Sequence, residues 1–555
     1  MNSGNRLIYL PLGGCGMFGA NMYVYGWGGE GSERLIVVDC GIGFPDAESA
    51  PGVDVLIPDS AWLADRLDRL EAIFITHAHE DHVGAIGHLH PELPVPVFAR
   101  RFTAAVARTK FDQLGCKGSA VHEVNPWPEF IEAGPFRVAF LPVAHSIPEA
   151  AALVIDTPVG RIVHSGDLNL DRTPVLGEAH DPERIRQAAG REVVALVCDS
   201  TNVFNPQAGR SEATVAGPVA GLIDRSTGMF AATTFASNVG RLKSLATAGI
   251  QAGRSVAVVG RSMHRILGIA RDTGFLEDFP EIVPLEEARY IPRNKLMLIV
   301  TGSQGERRSV SSQLSWGNYR GFDLEPGDSF LFSARTIPGN EKSVNAIKNR
   351  LSARGVAVHS AEGSPYHASG HACRPDIEEI HELVQPEIVI PMHGENQHLR
   401  EHANLARDRG FKSLFVSSGM VADISSADPR VVDHVDTGVL CLDGSTRIGR
   451  RNEVIRDRRK MAESGVIAAA IEFDLDGTAW CSGVSLKGVP SRDRSSGSLT
   501  ETLRKRISST LAERGPLDEE QDEVIERIVT RVVHSTASRS VGKKPEVMVL
   551  LTSDE

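Results

Sequence analysis

The chemistry on offer is concentrated in Thr76-His77-Ala78-His79-Glu80-Asp81-His82. Three imidazoles and the Asp81 carboxylate lie within one short stretch, a donor set that suits zinc, manganese or iron better than calcium or magnesium. His77 and His79 alternate and can share one side, whereas Asp81 and His82 can turn toward a second position. A solvated His-rich turn is the bland alternative. Against it, further ligand-type residues follow in order, each after an apolar run: His145 after Val138-Ala139-Phe140-Leu141, Asp167 after Arg161-Ile162-Val163, and His393 after Glu387-Ile388-Val389-Ile390. Asp39, behind Leu35-Ile36-Val37-Val38, is either a simple turn residue or an acid that orients a ligand histidine from behind. Seven ligands, namely His77, His79, Asp81, His82, His145, Asp167 and His393, are too many for one tetrahedral zinc.

The elements that must hold these groups read as short buried strands. Ala72-Ile73-Phe74-Ile75 is a strand that runs into the ligand-rich turn, and residues 83–89 read as a short helix behind it. Residues 210–370 alternate strands (Met229 to Ala232, Ser255 to Val259, Leu296 to Val300) with helical runs, the pattern of a parallel, doubly wound sheet. Their strand-to-helix turns carry Ser237-Asn238 and Gly302-Ser303-Gln304, small and amide residues able to receive a phosphate; a plain helix cap is the alternative for Ser237-Asn238. His367-Ala368-Ser369-Gly370-His371 suits phosphate better than a helical metal pair, because Gly370 stands between the histidines. Residues 411–459 read as β-strands closing the sheet. The last unit reads β-α-α-β: Val466 to Phe473, a polar loop over Ser485 to Ser498, helices Leu499 to Glu513 and Asp518 to Val533, and a strand from Glu546. The remaining histidines, among them His164, His381, His398 and His402, read as structural or surface residues.

A chain of 555 residues implies three or four domains. With 41% hydrophobic and 23% charged residues it has the composition of an ordinary globular protein, without the run of about 20 apolar residues that a membrane span needs. The first residues lack a signal-peptide pattern. The seven cysteines are scattered without a C-x-x-C pair. Both features lead to the expectation of a cytoplasmic protein with reduced thiols. A net charge of −12 gives no global attraction to nucleic acid, so a phosphate-rich substrate must be held locally or through metal.

Asp39, the 77–82 stretch, His145 and Asp167 resemble the ordered motifs of the metallo-β-lactamase superfamily, and Asp199-Ser200-Thr201 resembles the first motif of its β-CASP nuclease branch. Ala232-Thr233-Thr234-Phe235-Ala236-Ser237-Asn238, Thr301-Gly302-Ser303-Gln304-Gly305-Glu306, Ile337-Pro338-Gly339-Asn340-Glu341, the 367–371 loop and Pro391-Met392-His393-Gly394-Glu395 are similar to the ribonuclease J family within it. The resemblance implies a metallo-β-lactamase αββα sandwich (residues 1–209 and 371–459), an inserted β-CASP doubly wound α/β domain (210–370), and a linker with a small α+β C-terminal domain (460–555). Two divalent ions are implied, zinc first, with manganese or magnesium able to support activity. His77, His79 and His145 would hold one ion, Asp81, His82 and His393 the other, and Asp167 would bridge. His371 would assist the leaving oxygen with Asp199 orienting it, and Ser237, Asn238, His367, Ala368, Ser369 and Gly370 would bind phosphate.

The reaction implied is two-metal hydrolysis of single-stranded RNA, 5′-to-3′ from a 5′-monophosphate end and also internally, in rRNA processing and mRNA decay. The resemblance further implies a homo-oligomer, dimer or tetramer, with RNA-decay protein partners and no membrane. A β-CASP DNA nuclease is the alternative, followed by a metal-binding RNA scaffold without catalysis. Two departures stand out: Met17-Phe18 occupies a glycine turn where the family usually carries an acid, and the C-terminal unit matches loosely.

Overall fold

The computed structural model describes residues 4–45, 50–116, 118–190, 192–425, 428–449, 452–474, 477–492, 497–515 and 522–553. Contacts divide the chain into a larger unit, Met1–Phe44 with Leu56–Val439, and a smaller one, Pro45–Val55 with Leu440–Glu555.

Two sheets form the base of the larger unit. The first runs, edge to edge, through Arg430–His434, Met420–Asp423, Asn5–Gly13, Met22–Gly29, Arg34–Val38, Leu70–Ile75, Val97–Ala99 and Val121–Glu123. The second runs through Lys412–Ser413, Ile388–Met392, Val193–Asp199, Gly160–His164, Ala151–Thr157, Phe136–Pro142 and Ile131–Ala133. Tyr9, Tyr25, Ile36 and Phe74 from one sheet and Phe136, Phe140, Ile155, Val197 and Ile390 from the other share a single core, with the Phe74 and Phe140 rings 6.2 Å apart. Helices Arg374–Val384 and Asn396–Asp408 pack on the second sheet, and Arg101–Gln113 packs on the first. Strands covered on both faces must be apolar throughout, which is why they read as continuous hydrophobic runs. This is the αββα sandwich.

The inserted sheet is parallel, in the order Ser255–Val259, Leu296–Val300, Phe230–Thr233, Ser329–Phe332, Ala357–Ser360. Its first strand is central, the next two pairing on one side and the last two on the other. That reversal creates a crevice at the carboxyl ends of the strands, where open α/β sheets bind ligands. Thr234 to Asn238, Gly302 to Gln304 and Ser333 to Arg335 all leave the sheet at those ends.

In the smaller unit Val466–Phe473 is central, with Ala479–Lys487 antiparallel on one side and Glu546–Ser553 parallel on the other. Helices Leu499–Ala512 and Asp522–Val541 supply Leu503, Ile507, Ile525 and Val533 to its core. The unit is therefore β-β-α-α-β, not β-α-α-β. The overlooked strand Ala479–Lys487 lies at an edge, where consecutive half-buried Ser482, Gly483 and Val484 disguise the alternation. Residues 411–459 are not all strand either. Glu453–Ser464 is a helix capped by Asn452, whose side chain accepts from Val454 N; only Ile455 in it is buried, so its sequence shows little apolar periodicity. The run 83–89 divides into one-turn helices, Glu80–Val83 and Ile86–Leu89. Residues 1–3, 493–496 and 518–521, on which the readings of the amino terminus, the polar loop and the second C-terminal helix partly fell, lie outside the described residues.

Candidate metal centre

Most ligand-type residues stand at or just beyond the end of a strand of the sandwich, while Asp81 and His82 lie in the one-turn helix Glu80–Val83. Leu70–Ile75 delivers Thr76 and His77; Arg34–Val38 delivers Asp39; Gly160–His164 delivers Asp167; Val193–Asp199 ends on Asp199; and Ile388–Met392 delivers His393. The last three strands are mutually parallel neighbours, so their carboxyl ends share one edge. Asp39 (φ 64°) and His393 (φ 53°) both adopt the left-handed backbone region, uncommon outside glycine and concentrated at functional sites.

Hydrogen bonds fix the tautomer of four imidazoles. His82 donates from Nδ1 to Asp39 Oδ2 at 2.8 Å, and His145 donates from Nδ1 to the Gly370 carbonyl at 2.6 Å. His393 donates from Nδ1 to Thr201 Oγ1 at 2.7 Å, and that hydroxyl donates onward to Asp199 Oδ1 at 2.6 Å. His77 Nδ1 lies 3.0 Å from Thr76 Oγ1, whose own proton goes to Asp39 Oδ2 at 2.9 Å. In all four rings Nε2 turns toward the centre, the arrangement that metal-ligating histidines take from partners behind them, and His82 Nε2 also lies 3.0 Å from Asn21 Nδ2.

The freed donors converge as two clusters. His79 Nδ1 lies 3.0 Å from both His77 Nε2 and His145 Nε2. His393 Nε2 lies 3.3 Å from Asp81 Oδ2, and the His82 and His393 rings stack at 5.3 Å. Asp167 Oδ2 sits between the clusters, 3.7 Å from His77 Nε2, 3.2 Å from His82 Nε2 and 3.6 Å from His393 Nε2. Donor atoms of His77, His79, His145 and Asp167 lie within 4.8 Å of one another, as do those of Asp81, His82, Asp167 and His393. The other Asp167 oxygen, Oδ1, is buried without a hydrogen bond, which suits a carboxylate waiting on cations.

The electrostatics fit the same reading. Burial pushes His77 and His145 well below the ordinary imidazole range, and His79 down to about 4, so these rings are neutral. Burial also disfavours charge on His82 and His393, but for His82 the Asp167, Asp81 and Asp39 carboxylates outweigh it, and for His393 Asp167 and Asp81 lead, so both rise. The second cluster thus calls for positive charge.

His371 sits at the rim, its side chain 22% exposed, with Nδ1 donating to Asp199 Oδ2 at 2.8 Å. Burial lowers its pKa, but Asp199 and then Asp167 more than offset this and lift it to about 9. The rest of the 367–371 loop is engaged within the protein. Ser369 Oγ accepts from Asn202 Nδ2 at 2.8 Å, and the Ala368 carbonyl accepts from Arg241 Nη2 at 3.3 Å. A Cβ on Gly370 would fall 2.5 Å from Ser146 Oγ and 2.8 Å from His145 Cε1, so the glycine lets the loop close onto a ligand histidine. Burial, then Arg241 and Arg335, push His367 well down, so it meets any ligand uncharged. Asn238 Oδ1 caps the helix Val239–Gln251 by accepting from Arg241 N, the structural role foreseen as its alternative; Ser237 is half-buried beside it.

Several contributors escaped the sequence reading. Thr76 and Thr201 relay Asp39 and Asp199 to His77 and His393 of the two clusters. Asn21 Nδ2 donates to the Asp81 carbonyl at 2.9 Å while its Oδ1 accepts from Tyr23 OH. Exposed Arg335 donates to Asn202 Oδ1 at 2.8 Å at the lip of the inserted sheet. Phe18 packs edge-on to His398 at 5.1 Å, and Phe204, 52% exposed, packs on the same ring at 5.2 Å. Thr76, Thr201 and Arg335 follow apolar strands, a position they share with ordinary turn residues.

Comparison with known proteins agrees with this geometry. The metallo-beta-lactamase superfamily matches residues 15–197, the ribonuclease J beta-CASP domain 227–351, the Zn-dependent metallo-hydrolase RNA specificity domain 361–416, and the ribonuclease J C-terminal domain 453–553. A ribonuclease J of Sinorhizobium meliloti is 38% identical over 559 residues, covering 100% of this chain and 98% of its own. A ribonuclease J of Thermus thermophilus is 33% identical, covering 93% of this chain and 90% of its own. A crystal structure of a protein of unknown function from Enterococcus faecalis shares the fold alone, at 16% identity and TM-score 0.52 over 75% of this chain and 99% of that one. With its paired His/Asp clusters binding divalent metal, the chain belongs to the ribonuclease J family and is a metal-dependent ribonuclease.

Proposed function

We propose that the enzyme degrades and processes single-stranded RNA from 5′-monophosphate ends in the 5′-to-3′ direction and also cuts internally, with two divalent ions, zinc first. The observation that carries this reading is the convergence of seven donors on two clusters that share Asp167, beside the partly exposed His371 and its buried partner Asp199. One ion would be held by His77, His79 and His145, the other by Asp81, His82 and His393, with Asp167 common to both. When bound, such a pair supplies Lewis acidity toward phosphate oxygens and an attacking water of lowered pKa.

The chain's own residues supply the rest. His371, protonated at neutral pH, gives its proton to the leaving oxygen; Asp199 holds Nδ1 so that the other nitrogen does this. Asp39 and Thr201 keep His82 and His393 in the ligating tautomer. The ends of the inserted parallel strands, with Ser237, Asn238 and Arg335, and the 367–371 loop line the path of the RNA. Neutral His367 and the backbone of Ala368, Ser369 and Gly370 would receive a 5′-phosphate by hydrogen bonding rather than by charge. The domain division at 209, 370 and 459, a cytoplasmic location, a dimer or tetramer, and RNA-decay partners belong to the same reading. Among the described residues no helix is long and apolar enough to cross a membrane.

The test is digestion of 5′-labelled RNAs carrying triphosphate, monophosphate or hydroxyl ends, beside a single-stranded DNA of the same sequence. Release of mononucleotides fastest from the monophosphate RNA supports the reading. Equal rates for all ends refute the 5′ preference, and faster DNA cleavage refutes the substrate.

A further inference from the structure

Behind the catalytic edge lies a second group of metal-type side chains that the hydrolytic mechanism does not use. Successive residues of a strand face opposite ways, so Cys198 turns from the side on which Asp199 meets His371. It shares its side with Ser200, toward the helices Arg374–Val384 and Asn396–Asp408, which carry His381 and His402. Cys198, His381 and His402 are all essentially inaccessible to solvent, and one donor atom from each lies within 4.8 Å of the other two.

Two features exceed what packing alone would ask of such residues. His381 Nε2 and His402 Nε2 approach to 3.0 Å, the same nitrogen separation found between His77 and His79 and between His79 and His145 in the catalytic cluster. His402 is also oriented from behind, its Nδ1 lying 2.9 Å from Ser200 Oγ, as a ligating ring is held by a partner on its other nitrogen. Hydrogen bonding within the protein leaves the group incomplete, since His381 Nδ1 is buried without a partner. Burial drives both imidazoles down, so they are neutral lone-pair donors.

We propose that Cys198, His381 and His402 form a separate, structural site for a thiophilic divalent ion of the zinc type. One thiolate and two imidazoles are a donor set that excludes magnesium and calcium and favours zinc. Binding releases one proton, that of the Cys198 thiol, to solvent. The ion ties the strand Val193–Asp199 to both helices directly behind the turn that carries Asp199 and Thr201. It thereby stiffens the base on which His371 and His393 are oriented.

Cobalt(II) separates this site from the catalytic one, whose donors are all nitrogen and oxygen. The full-length protein, stripped and reloaded with cobalt, is expected to show a near-ultraviolet thiolate-to-cobalt charge-transfer band equivalent to one ion per chain. The band should persist in a His77→Ala/His82→Ala variant and disappear in Cys198→Ser, which should hold one zinc equivalent fewer than the wild type by elemental analysis. Absence of the band from fully loaded wild-type protein overturns the proposal, and this needs no variant to fold. So does a band, or an unchanged zinc content, in Cys198→Ser. His402→Gln supplies a second variant: zinc content equal to that of the wild type would reduce the cluster to a hydrogen-bonded histidine pair.

Discussion

At the residue scale, the pair formed by His371 and Asp199 separates catalysis from metal binding. His371→Ala is expected to leave both clusters loaded and to slow the bound step by about 10²–10⁴-fold, roughly 3–5 kcal/mol of barrier. Asp199→Asn acts in the same direction, and the double variant should lose less than the product of the single effects, because Asp199 works through the imidazole. Single-turnover rates at saturating enzyme, with metal content measured on each variant, check this; full multiplicativity would mean that Asp199 acts elsewhere, for instance only through Thr201. Gly370→Ala should behave differently. Its new Cβ meets Ser146 and His145, so metal affinity should fall along with the rate, and a variant with normal affinity would show that the loop yields without moving the ligand. The seven candidate ligands and Asp39 were legible by type and order, and Asp199 and His371 through the family resemblance; the structure brings these side chains together. Thr76, Thr201 and Asn21 were not legible, because a threonine after a strand or an asparagine before one resembles any turn residue until its partner across the fold is known.

At the scale of elements, a buried cation ties the inserted domain to the 367–371 loop. Arg241 is fully buried, forms an ion pair with Glu212 at 2.6 Å, and donates to the carbonyls of Ser333 and Ala368. It therefore joins the helix Val239–Gln251 to the 367–371 loop. Removing one partner of a buried pair typically costs about 3–5 kcal/mol. Arg241→Leu should lower the stability of the larger unit by that order in urea titration and raise KM for RNA more than it lowers kcat. A change under about 1 kcal/mol would place the pair with the weak surface bridges. Three of the five parallel strands here, Phe230–Thr233, Ser255–Val259 and Leu296–Val300, stood out in the sequence as apolar runs, whereas the edge strand Ala357–Ser360 carries His359 and Ser360 and did not. Nor did Ala479–Lys487 and Glu453–Ser464: one is a half-exposed edge strand and the other a mostly charged helix, and neither buries enough of one face to impose a period on its sequence.

At the scale of the whole molecule, the proposed self-association would rest on the smaller unit. Met548 and Leu550, alternate residues on the strand Glu546–Ser553 at the edge of its sheet, are 53% and 51% exposed. Such a pair on an edge strand is what a second copy would cover. Sedimentation should give a dimer or tetramer for the wild type, and Met548→Lys/Leu550→Lys should move it toward monomer; a wild-type monomer at micromolar concentration contradicts the assembly.

The two-ion centre itself is tested most directly by elemental analysis and RNA cleavage carried out together on wild-type protein and on His77→Ala/His82→Ala, which removes one donor from each cluster. The wild type is expected to hold two divalent ions more than the folded variant and to cleave monophosphorylated RNA, while the variant does not cleave. A difference of one ion or none, or near-normal cleavage by the variant, would contradict a two-ion centre built on these residues.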